Sequence, residues 1–459
     1  MCWHMPSSSG STHPSDGPGD RGRVDRLLET YSVYYDVEAC EEGALRLRAV
    51  HIGRAHCFWR GQQLMVTFLP FPGLRPNIKA GEHVGDRISP PYDVIGPEYL
   101  EELQSHPHNV TRLTLNPDAN KRYHGARKEL EQWMADSALK QDDDSFYIYE
   151  QTFDDNGTTR VRRGIVGILR TEKYEDGNII PHEETFSKVK ADRLNLLRDM
   201  ECHLESIFGI YQGLTPELNK KIRDHESLVY RYVDSDGVEH RYNRLSDPEI
   251  TKEISEQLKD QKMLIADGHH RYETALNYAL ENPDDEKKQF VLATLVASDD
   301  EGLVIWPTHR LVTAGDISER NAVKGISKNL TLTETDRDGM VAGLKDHMMG
   351  LAFKSGACYL ADYDGGDDPM WTLDTYVAQE KILKGVYKSD EGKAEVAYDA
   401  ELPSVLKKMD EKQYDLAIIL NDPSLEKIWD LSMIGKRMPK KTTFFFPKIW
   451  SGFVFYKMF

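Results

Sequence analysis

The stretch that decides the fold is KMLIADGHHRYETALNYALE, residues 262–281. Its opening residues, Lys262 to Ala266, form a short apolar run of the kind that makes a buried strand. From Arg271 onward the apolar residues recur at helical spacing, which predicts a helix with one buried face. A strand therefore passes through a polar turn directly into a helix. The residues expected to point inward from that helix are Tyr272, Ala275, Leu276, Ala279 and Leu280.

The turn itself brings several polar groups together. Gly268 lets the backbone turn tightly and approach a ligand, and the helix start offers unpaired N–H groups and a positive dipole end. His269, His270 and Arg271 add cationic donors, so the segment is typical of a phosphate-binding site. Asp267 can orient a histidine or hold Mg²⁺ between phosphate oxygens. The alternative is that Asp267 caps the helix and the two histidines are ordinary polar residues at a sheet edge.

A second dense segment is PHEETFSKVKADR, residues 181–193. A carboxylate such as Glu183 can accept a hydroxyl proton during phosphoryl transfer, and Lys190 or Arg193 can neutralise the developing charge. The alternative is a solvated helix start whose charges form ordinary ion pairs. His182 and Glu183 do not indicate zinc, because no H-E-x-x-H pattern completes a site.

Three further motifs lie at strand edges, where mixed sheets tend to place ligands. Taken singly, each motif more often has a structural role than a ligand-binding one. Tyr92 can pack in the interior, Arg310 can cap a sheet edge, and the lysines can form a solvated basic rim. The P-loop, dinucleotide-binding and α/β-hydrolase patterns are all missing from the sequence. The candidates in these motifs are Tyr92 and Asp93 in PPYDVI, Thr308, His309 and Arg310 in WPTHRLV, and Lys440, Lys441 and Lys448 in MPKKTTFFFPK.

Composition limits the classes of partner. The chain has 459 residues, enough for roughly three domains or two large ones. Its net charge of −18 repels phosphate backbones and anionic lipid, so nucleic acid and membranes are not expected as partners, while a local basic pocket can still hold a small anion. The five cysteines lie far apart without a C-x-x-C pair, which argues against a disulfide framework and a cysteine zinc site. We expect a soluble, cytoplasmic protein.

Residues 1–64 differ in composition from the rest of the chain. They open with a Ser/Gly/Pro-rich stretch that cannot bury enough apolar surface to offset its ordering entropy. Met65 then begins MVTFLPFPGLRPN, which has the character of a natural start. Two interpretations stay open: a wrongly assigned upstream extension, or a disordered native tail. Residues 65–315 are expected to form a catalytic region, and residues 316–459 a C-terminal α/β subdomain.

The remaining pattern predicts an α+β protein with mixed sheets. Residues 146–153 and 163–169 read as a strand pair, with the turn in the DDNG segment at residues 154–157. Other strands are expected at 87–95, 414–420, 442–446 and 452–456, and helices from Pro97, within 121–139, over 191–204 and after Asp422.

In their order along the chain, the motifs PPYDVI, PHEET with KADR, SIFGIY, ADGHHRYETAL, WPTHRLV and MPKKTTFFFPK resemble the prokaryotic family known as domain of unknown function 1015. The resemblance runs from about Val66 to the C-terminus. The strand followed by Asp-Gly-His-His-Arg also resembles the nucleotide-binding motif of the ParB/sulfiredoxin superfamily, whose members include free L-serine kinases that use ATP or ADP.

This second resemblance implies a ParB/sulfiredoxin-like nucleotide-binding lobe with an inserted β-pair, next to the C-terminal α/β subdomain. It implies that the donor phosphates are held by Gly268, His269, His270 and Arg271. For the base, the superfamily's early segment nominates Asp93 or Glu98, whereas local chemistry favours Glu183. The expected catalytic residues are Glu183, Asp267 and His270, with Asp267 also holding Mg²⁺. The expected substrate contacts are His182, Thr185, Lys190, Arg193, Tyr92, Asp93, His309 and Arg310.

The resulting hypothesis is Mg²⁺-dependent phosphoryl transfer from ATP or ADP to a small hydroxyl-bearing metabolite, with free L-serine the first choice. Three alternatives stay open at this point. The first is a nucleotide-binding regulator of ParB type, the second a nucleotide hydrolase, and the third a binding scaffold without catalysis. The sequence does not give the oligomeric state.

Overall fold

The computed structural model describes residues 35–39, 45–49, 65–116, 123–184 and 187–459, with the side chains of 35–49 and 187–190 left out. Residues 1–62 and 63–459 cluster as two separate units. In the first unit, two short strands, Tyr35–Ala39 and Leu45–Ala49, pair antiparallel. The two interpretations of residues 1–64, a wrongly assigned extension or a disordered native tail, concern residues that, apart from these two strands, lie outside the described ranges.

The strands are numbered in chain order. They are β1 Tyr35–Ala39, β2 Leu45–Ala49, β3 Phe68–Leu69, β4 Phe71–Pro76, β5 Leu139–Asp155, β6 Thr158–Arg170, β7 Ile179–Pro181, β8 Cys202–His203, β9 Ile207–Tyr211, β10 Ser227–Val233, β11 Glu239–Leu245, β12 Met263–Asp267, β13 Phe290–Ala297, β14 Val304–Trp306, β15 His309–Thr313, β16 Thr331–Thr335, β17 Met348–Phe353, β18 Cys358–Asp362, β19 Glu395–Asp399, β20 Leu416–Ile419, β21 Phe444–Phe446 and β22 Tyr456–Lys457.

The α-helices are numbered in the same way. They are α1 Pro97–Ser105, α2 Thr111–Thr114, α3 His124–Ala135, α4 Ser187–Met200, α5 Pro216–His225, α6 Pro248–Leu258, α7 His269–Glu281, α8 Glu319–Ile326, α9 Arg337–Ala342, α10 Asp374–Val377, α11 Leu402–Asp410 and α12 Leu425–Met433. A π-helical segment, Ala378–Lys384, follows α10. Single 3₁₀ turns lie at Val84–Asp86, Tyr92–Val94, Tyr174–Asp176, Glu286–Gln289, Pro369–Thr372 and Ser389–Glu391.

A mixed sheet of ten strands forms the first part of the larger unit. Its strand order is β10-β11-β5-β6-β13-β9-β12-β7, with β3 beside β6 and β4 beside β5. The pairs β9–β13 and β7–β12 are parallel, whereas β9–β12 and the remaining pairs are antiparallel. Because successive side chains alternate between the faces, Phe146 and Ile148 enter one core cluster while Tyr147 and Tyr149 enter another. Both faces of the sheet are therefore covered.

The β5–β6 hairpin confirms the predicted strand pair. Asp155 pairs with Thr158, which leaves Asn156 and Gly157 as the two turn residues. Their φ angles are 52° and 86°, the left-handed values that a twisted two-residue hairpin turn needs. Asparagine and glycine tolerate this conformation best, so the local sequence selects the turn.

A second sheet has six strands in the order β16-β18-β17-β20-β15-β19, all antiparallel. The first residue of this sheet along the chain is His309, at the start of β15. Residues 63–459 cluster as one unit, so the domain boundary expected at residue 315 stays a prediction. The chain then returns to the first sheet, because Met438, Phe445 and Phe453 join the same core cluster as Tyr147.

Four local predictions are wrong. The strand expected at 87–95 is reduced to one bridge between Ser89 and Ser451, followed by a 3₁₀ turn, because Pro90 and Pro91 have no N–H to extend a ladder. The helix expected to reach residue 204 ends at Met200, since Glu201 takes a left-handed φ of 45°.

The third concerns Leu280, which is 58% exposed although it was expected to point inward. It lies one residue, or about 100°, beyond the buried stripe of Tyr272, Ala275 and Ala279 on the same helix. The strand expected at 452–456 is also shorter than predicted, because Gly452 has a φ of 100° and pairing with β8 is confined to β22.

In the described ranges, no helix combines the length and the apolar character needed to cross a bilayer.

Candidate functional site

The strand, turn and helix predicted from residues 262–281 are confirmed. β12 ends at Asp267, Gly268 has a φ of 89°, and α7 begins at His269. The carbonyl of Gly268 accepts the first helical hydrogen bond, from the Tyr272 N–H at 2.9 Å. The helix start has no side-chain cap, so Asp267 does not cap the helix. Its carboxylate is left for the groups that surround it.

Strand pairing brings the two predicted motifs to one edge of the sheet. β7 runs parallel to β12 with Ile265 opposite Pro181, so both strands end at the same edge. His182 and Glu183, which follow β7, therefore lie beside the turn at Asp267. The backbone N–H of His182 donates to His269 Nε2 at 3.2 Å, which joins the two motifs directly.

Two cations bind the Asp267 carboxylate. Lys448 Nζ lies 2.8 Å from Oδ2, and Arg271 Nη2 lies 3.8 Å from Oδ1. Burial opposes ionisation of Asp267, but the charges of Lys448 and Arg271 outweigh it and hold the pKa well below its ordinary value. Arg271 also donates to the carbonyl of Ser206, which fixes the guanidinium at the edge. The result is a compact ion-pair cluster in which two cations flank one carboxylate.

The two buried histidines are positioned by backbone groups. His182 Nδ1 donates to the carbonyl of Ile265 at 2.7 Å. His269 Nε2 accepts from the backbone N–H groups of His182 and of Glu183, the latter at 3.4 Å. Burial and the neighbouring His182 lower the pKa of His269 to about 3, so the ring is neutral at neutral pH. The expectation that His269 adds a cationic donor is therefore wrong, because burial disfavours its charged form.

Glu183 is tied to the C-terminal segment. Its Oε1 accepts from the Thr442 N–H at 3.1 Å and from the Thr443 N–H and hydroxyl, both at 3.4 Å. Burial raises the pKa of Glu183, but hydrogen bonding and the charge of His182, 3.7 Å away, lower it to about 2 overall. Glu183 is thus ionised over the whole physiological range.

That pKa predicts how stability depends on pH. A carboxyl whose pKa falls from 4.5 to about 2 on folding stabilises the fold above pH 4.5, and this contribution is lost as the pH falls toward 2. We expect wild type to lose roughly 3 kcal/mol more than Glu183→Gln between pH 6 and pH 2. Urea unfolding of both proteins at several pH values measures the difference. Equal losses in the two proteins would contradict the role given to Glu183.

A small cleft of about 60 Å³ opens next to Arg271. Arg193 lines it, with its guanidinium carbon 3.9 Å from the centre of the Tyr92 ring and Nη1 3.9 Å from Glu205 Oε2. Asp93 lies at the same edge, 3.9 Å from Lys441 Nζ. The predicted residues Tyr92, Asp93 and Arg193 are therefore brought to the site.

Other predicted residues lie elsewhere or outside the description. His309 lines a separate cleft, and Arg310 is fully buried, with Nη2 donating to the carbonyl of Lys441 at 3.1 Å. His270 is the second residue of α7, next to the turn, and its charge contributes to the lowered pKa of His269. Thr185 lies outside the described residues, and the side chain of Lys190 is not described.

Sequence reasoning missed three contributors. Glu205, whose side chain is only 9% exposed, lies 3.9 Å from Arg193 and two residues before β9. The sequence hint for its role is an acidic residue close to a buried strand. Thr442 and Thr443 stand in a motif that was noted only for its lysines. Lys448 was a candidate at a strand edge with a solvated rim as the alternative, and its side chain is 16% exposed and ion-paired with Asp267.

The segment that carries Lys448 is clamped from β5 and β6. Arg162 donates to the carbonyls of Phe446 and Pro447, and Gln151 Nε2 donates to the carbonyl of Lys448 at 2.9 Å. Gln151 and Arg162 are partners in the β5–β6 register, and Arg162 also donates to Gln151 Oε1. Burial lowers the pKa of Arg162 to about 10, which leaves it charged at neutral pH.

The described residues include no group of three histidine, cysteine, aspartate or glutamate side chains that could hold a metal ion. Magnesium in phosphoryl-transfer enzymes is often held by one or two carboxylates together with substrate phosphates. Asp267, a carboxylate next to a phosphate-type pocket, fits that arrangement once a nucleotide supplies the remaining oxygens.

Comparison with known proteins gives the family. The sequence model of the family described as "Protein of unknown function (DUF1015)" matches residues 68–376, or 309 of the 459 residues. The chain belongs to this family. The DUF1015 match includes the HEET, DGHHR and WPTHR motifs, and it ends before the MPKKTTFFFPK motif that the sequence resemblance had included. No curated protein sequence matches the chain.

Three solved structures are similar to this DUF1015 protein at low level. A conserved hypothetical protein from Pyrococcus furiosus has 16% identity and a TM-score of 0.34, covering 60% of this chain and 89% of its own. A free serine kinase in complex with AMP has 17% identity and a TM-score of 0.34, with coverages of 58% and 83%. SbnI with a C-terminal truncation, from Staphylococcus aureus, has 11% identity and a TM-score of 0.35, with coverages of 62% and 85%.

Proposed function

We propose that this protein transfers a phosphoryl group from ATP or ADP to the hydroxyl of a small metabolite, with free L-serine the first acceptor to test. The observation that carries the proposal is the convergence of Lys448 and Arg271 on Asp267, at a left-handed glycine turn that opens α7. A helix start with two fixed cations suits the phosphates of a nucleotide. The chain as a whole carries a net charge of −18, so the two cations are a local feature of this site.

Phosphoryl transfer requires mainly positioning and electrostatic stabilisation from the protein. Arg271 and Lys448 would hold the donor phosphates. Asp267 keeps both cations in place and offers a carboxylate to Mg²⁺, which supplies charge neutralisation when it is bound with the nucleotide. Arg193, at the wall of the neighbouring cleft, would pair with the carboxylate of an amino-acid acceptor.

Glu183 is the proposed partner of the acceptor hydroxyl. With a pKa of about 2 it is a weak base, but it is always ionised and its position is fixed by Thr442 and Thr443. In a loose transition state, orienting the hydroxyl contributes more than base strength. Asp93 and Glu98, nominated by the superfamily resemblance, are both exposed and are tested alongside it.

The test is a radiolabel-transfer assay with the full chain, Mg²⁺, labelled ATP or ADP, and serine, homoserine, threonine or inositol as acceptor. We expect a labelled acceptor, and a rate at least about tenfold lower in Arg271→Ala and in Glu183→Gln. Arg337→Ala is the matched control, because that arginine is 44% exposed and its ion partner, Asp410, is exposed as well.

Two outcomes would overturn the proposal. If nucleotide binds but no acceptor is labelled, the protein is a nucleotide-binding regulator. If phosphate is released at the same rate with and without an acceptor, it is a hydrolase. If Glu183→Gln keeps the wild-type rate and Asp93→Asn loses it, the residue that accepts the hydroxyl proton is Asp93.

A further inference from the structure

A second cleft lies at one edge of the six-stranded sheet and has a volume of about 680 Å³. β19 and β20 both end at this edge, while β15, which lies between them, begins here with His309. The cleft shares no lining residue with the one beside Arg271. It is therefore a separate feature of the molecule, and the proposed phosphoryl transfer does not use it.

His309 places a buried hydrogen-bond donor in this cleft. The residue is only 2% exposed, and its Nδ1 accepts from the Leu420 N–H at 3.2 Å. Burial and the charge of Arg310 lower the pKa of His309 to about 4, so the neutral ring carries its proton on Nε2. Within the described part of the chain, Nε2 makes no hydrogen bond. This N–H can donate to an acceptor bound in the cleft.

The start of α11 adds one backbone donor at the same place. Glu401, Leu402 and Pro403 line the cleft, but the Glu401 N–H donates to Asp399 Oδ1 at 2.9 Å and Pro403 has no N–H. The Leu402 N–H, in the first turn of α11, has no partner within the helix. Together with His309 Nε2 it can donate to a carboxylate.

The cleft also contains groups that suit an ammonium. Asp422 lines it, and partial burial and the nearby charge of Asp155 raise the pKa of Asp422. A bound cation would relieve the repulsion between these carboxylates. Trp306, which stacks on Phe446 with ring centres 3.8 Å apart, supplies an aromatic ring for a cation.

The lining also has an apolar part beside its polar residues. Pro307, Leu344, Leu402, Pro403 and Leu420 form this part, and the lining has neither lysine nor arginine. A nucleotide phosphate would therefore meet carboxylates without a compensating cation. A simple amine would leave the His309 donor unpaired. A ligand with both charges and an apolar group satisfies all of these residues.

We propose that this cleft binds a free amino acid with an apolar side chain. Its carboxylate accepts from His309 Nε2 and from the Leu402 N–H, its ammonium pairs with Asp422, and its side chain packs against Leu344 and Leu420. The proposal is independent of the phosphoryl-transfer function. An amino acid without a hydroxyl cannot be a phosphoryl acceptor, so the two proposals can fail separately.

The test is isothermal titration of the full chain with L-leucine. We expect saturable binding that is lost with leucinol, which has no carboxylate, and with 4-methylpentanoate, which has no amine. Asp422→Asn and Leu344→Trp, which fills the cleft, should each weaken binding at least tenfold. Glu426→Gln, an exposed acid in the first turn of α12, is the matched control and should bind as wild type does.

Thermal unfolding midpoints show whether each variant is folded. If Leu344→Trp does not fold, Asp422→Asn and the two leucine analogues still decide the question. The proposal is overturned if no apolar amino acid gives saturable heat, if leucinol binds as tightly as leucine, or if folded Leu344→Trp keeps full affinity. Binding of adenosine in place of leucine would likewise overturn it.

Discussion

Replacing Lys448 by methionine should lower the rate of phosphoryl transfer by about 10² to 10³-fold, the loss usual when a fixed donor to developing charge is removed. Lys448 lies 2.8 Å from Asp267 and is one of the two cations that we assign to the donor phosphates. Without it, the pKa of Asp267 rises and the pocket loses positive charge. Initial rates of wild type and variant, with Mg²⁺ and the acceptor found in the transfer assay, measure the effect.

Lys407→Met is the matched control for this variant. Lys407 is 76% exposed, and its Nζ lies 4.0 Å from Glu411 Oε1. An exposed ion pair of this kind contributes little to stability. We expect its rate and its unfolding midpoint to equal those of wild type. A folded Lys448→Met protein that keeps the full rate would remove Lys448 from the site and weaken the phosphate assignment.

Arg162→Met should lower the free energy of unfolding by roughly 3 kcal/mol or more, since it leaves three buried acceptors without their donor. These acceptors are the carbonyls of Phe446 and Pro447 and the side-chain oxygen of Gln151. Methionine keeps most of the length of the side chain, so the loss reports hydrogen bonding more than volume. Guanidinium unfolding monitored by circular dichroism gives the free energy.

The same change should reduce phosphoryl transfer, because Arg162 holds the carbonyls of Phe446 and Pro447, directly before Lys448. Arg231→Met is the control: its side chain is 62% exposed and pairs with Glu239 on the neighbouring strand, so we expect a change of less than about 0.5 kcal/mol. A loss below about 1 kcal/mol in Arg162→Met would show that water replaces the missing donor.

Local sequence was enough for the elements that fold within a short stretch. The apolar run at 263–266 and the helical spacing after it predicted β12 and α7, because both patterns depend on near neighbours. The DDNG turn is another case, since Asn156 and Gly157 are residues that accept a left-handed backbone.

Local sequence was misleading where a long-range partner decided the outcome. The β-branched run at 87–95 suggested a strand, yet only Ser89 has a partner, and that partner is Ser451 near the other end of the chain. His269 was expected to be a cation, yet burial beneath His182 and the backbone N–H groups around it keep the ring neutral. Neither outcome has a signal within a few residues of the position.

The residue types of the site are present in the sequence: a glycine turn at a helix start, a cluster of acids and bases at 182–193, and basic residues near the C-terminus. Their spatial arrangement required the fold. Parallel pairing of β7 with β12 sets His182 beside His269, and Lys448 reaches Asp267 across 181 residues of chain. The fold also separates neighbours, because β15 turns His309 to one cleft while Arg310 points to the carbonyl of Lys441. Strand register and burial depend on contacts far apart in the chain, so the residues' charge states and partners follow from the packed structure.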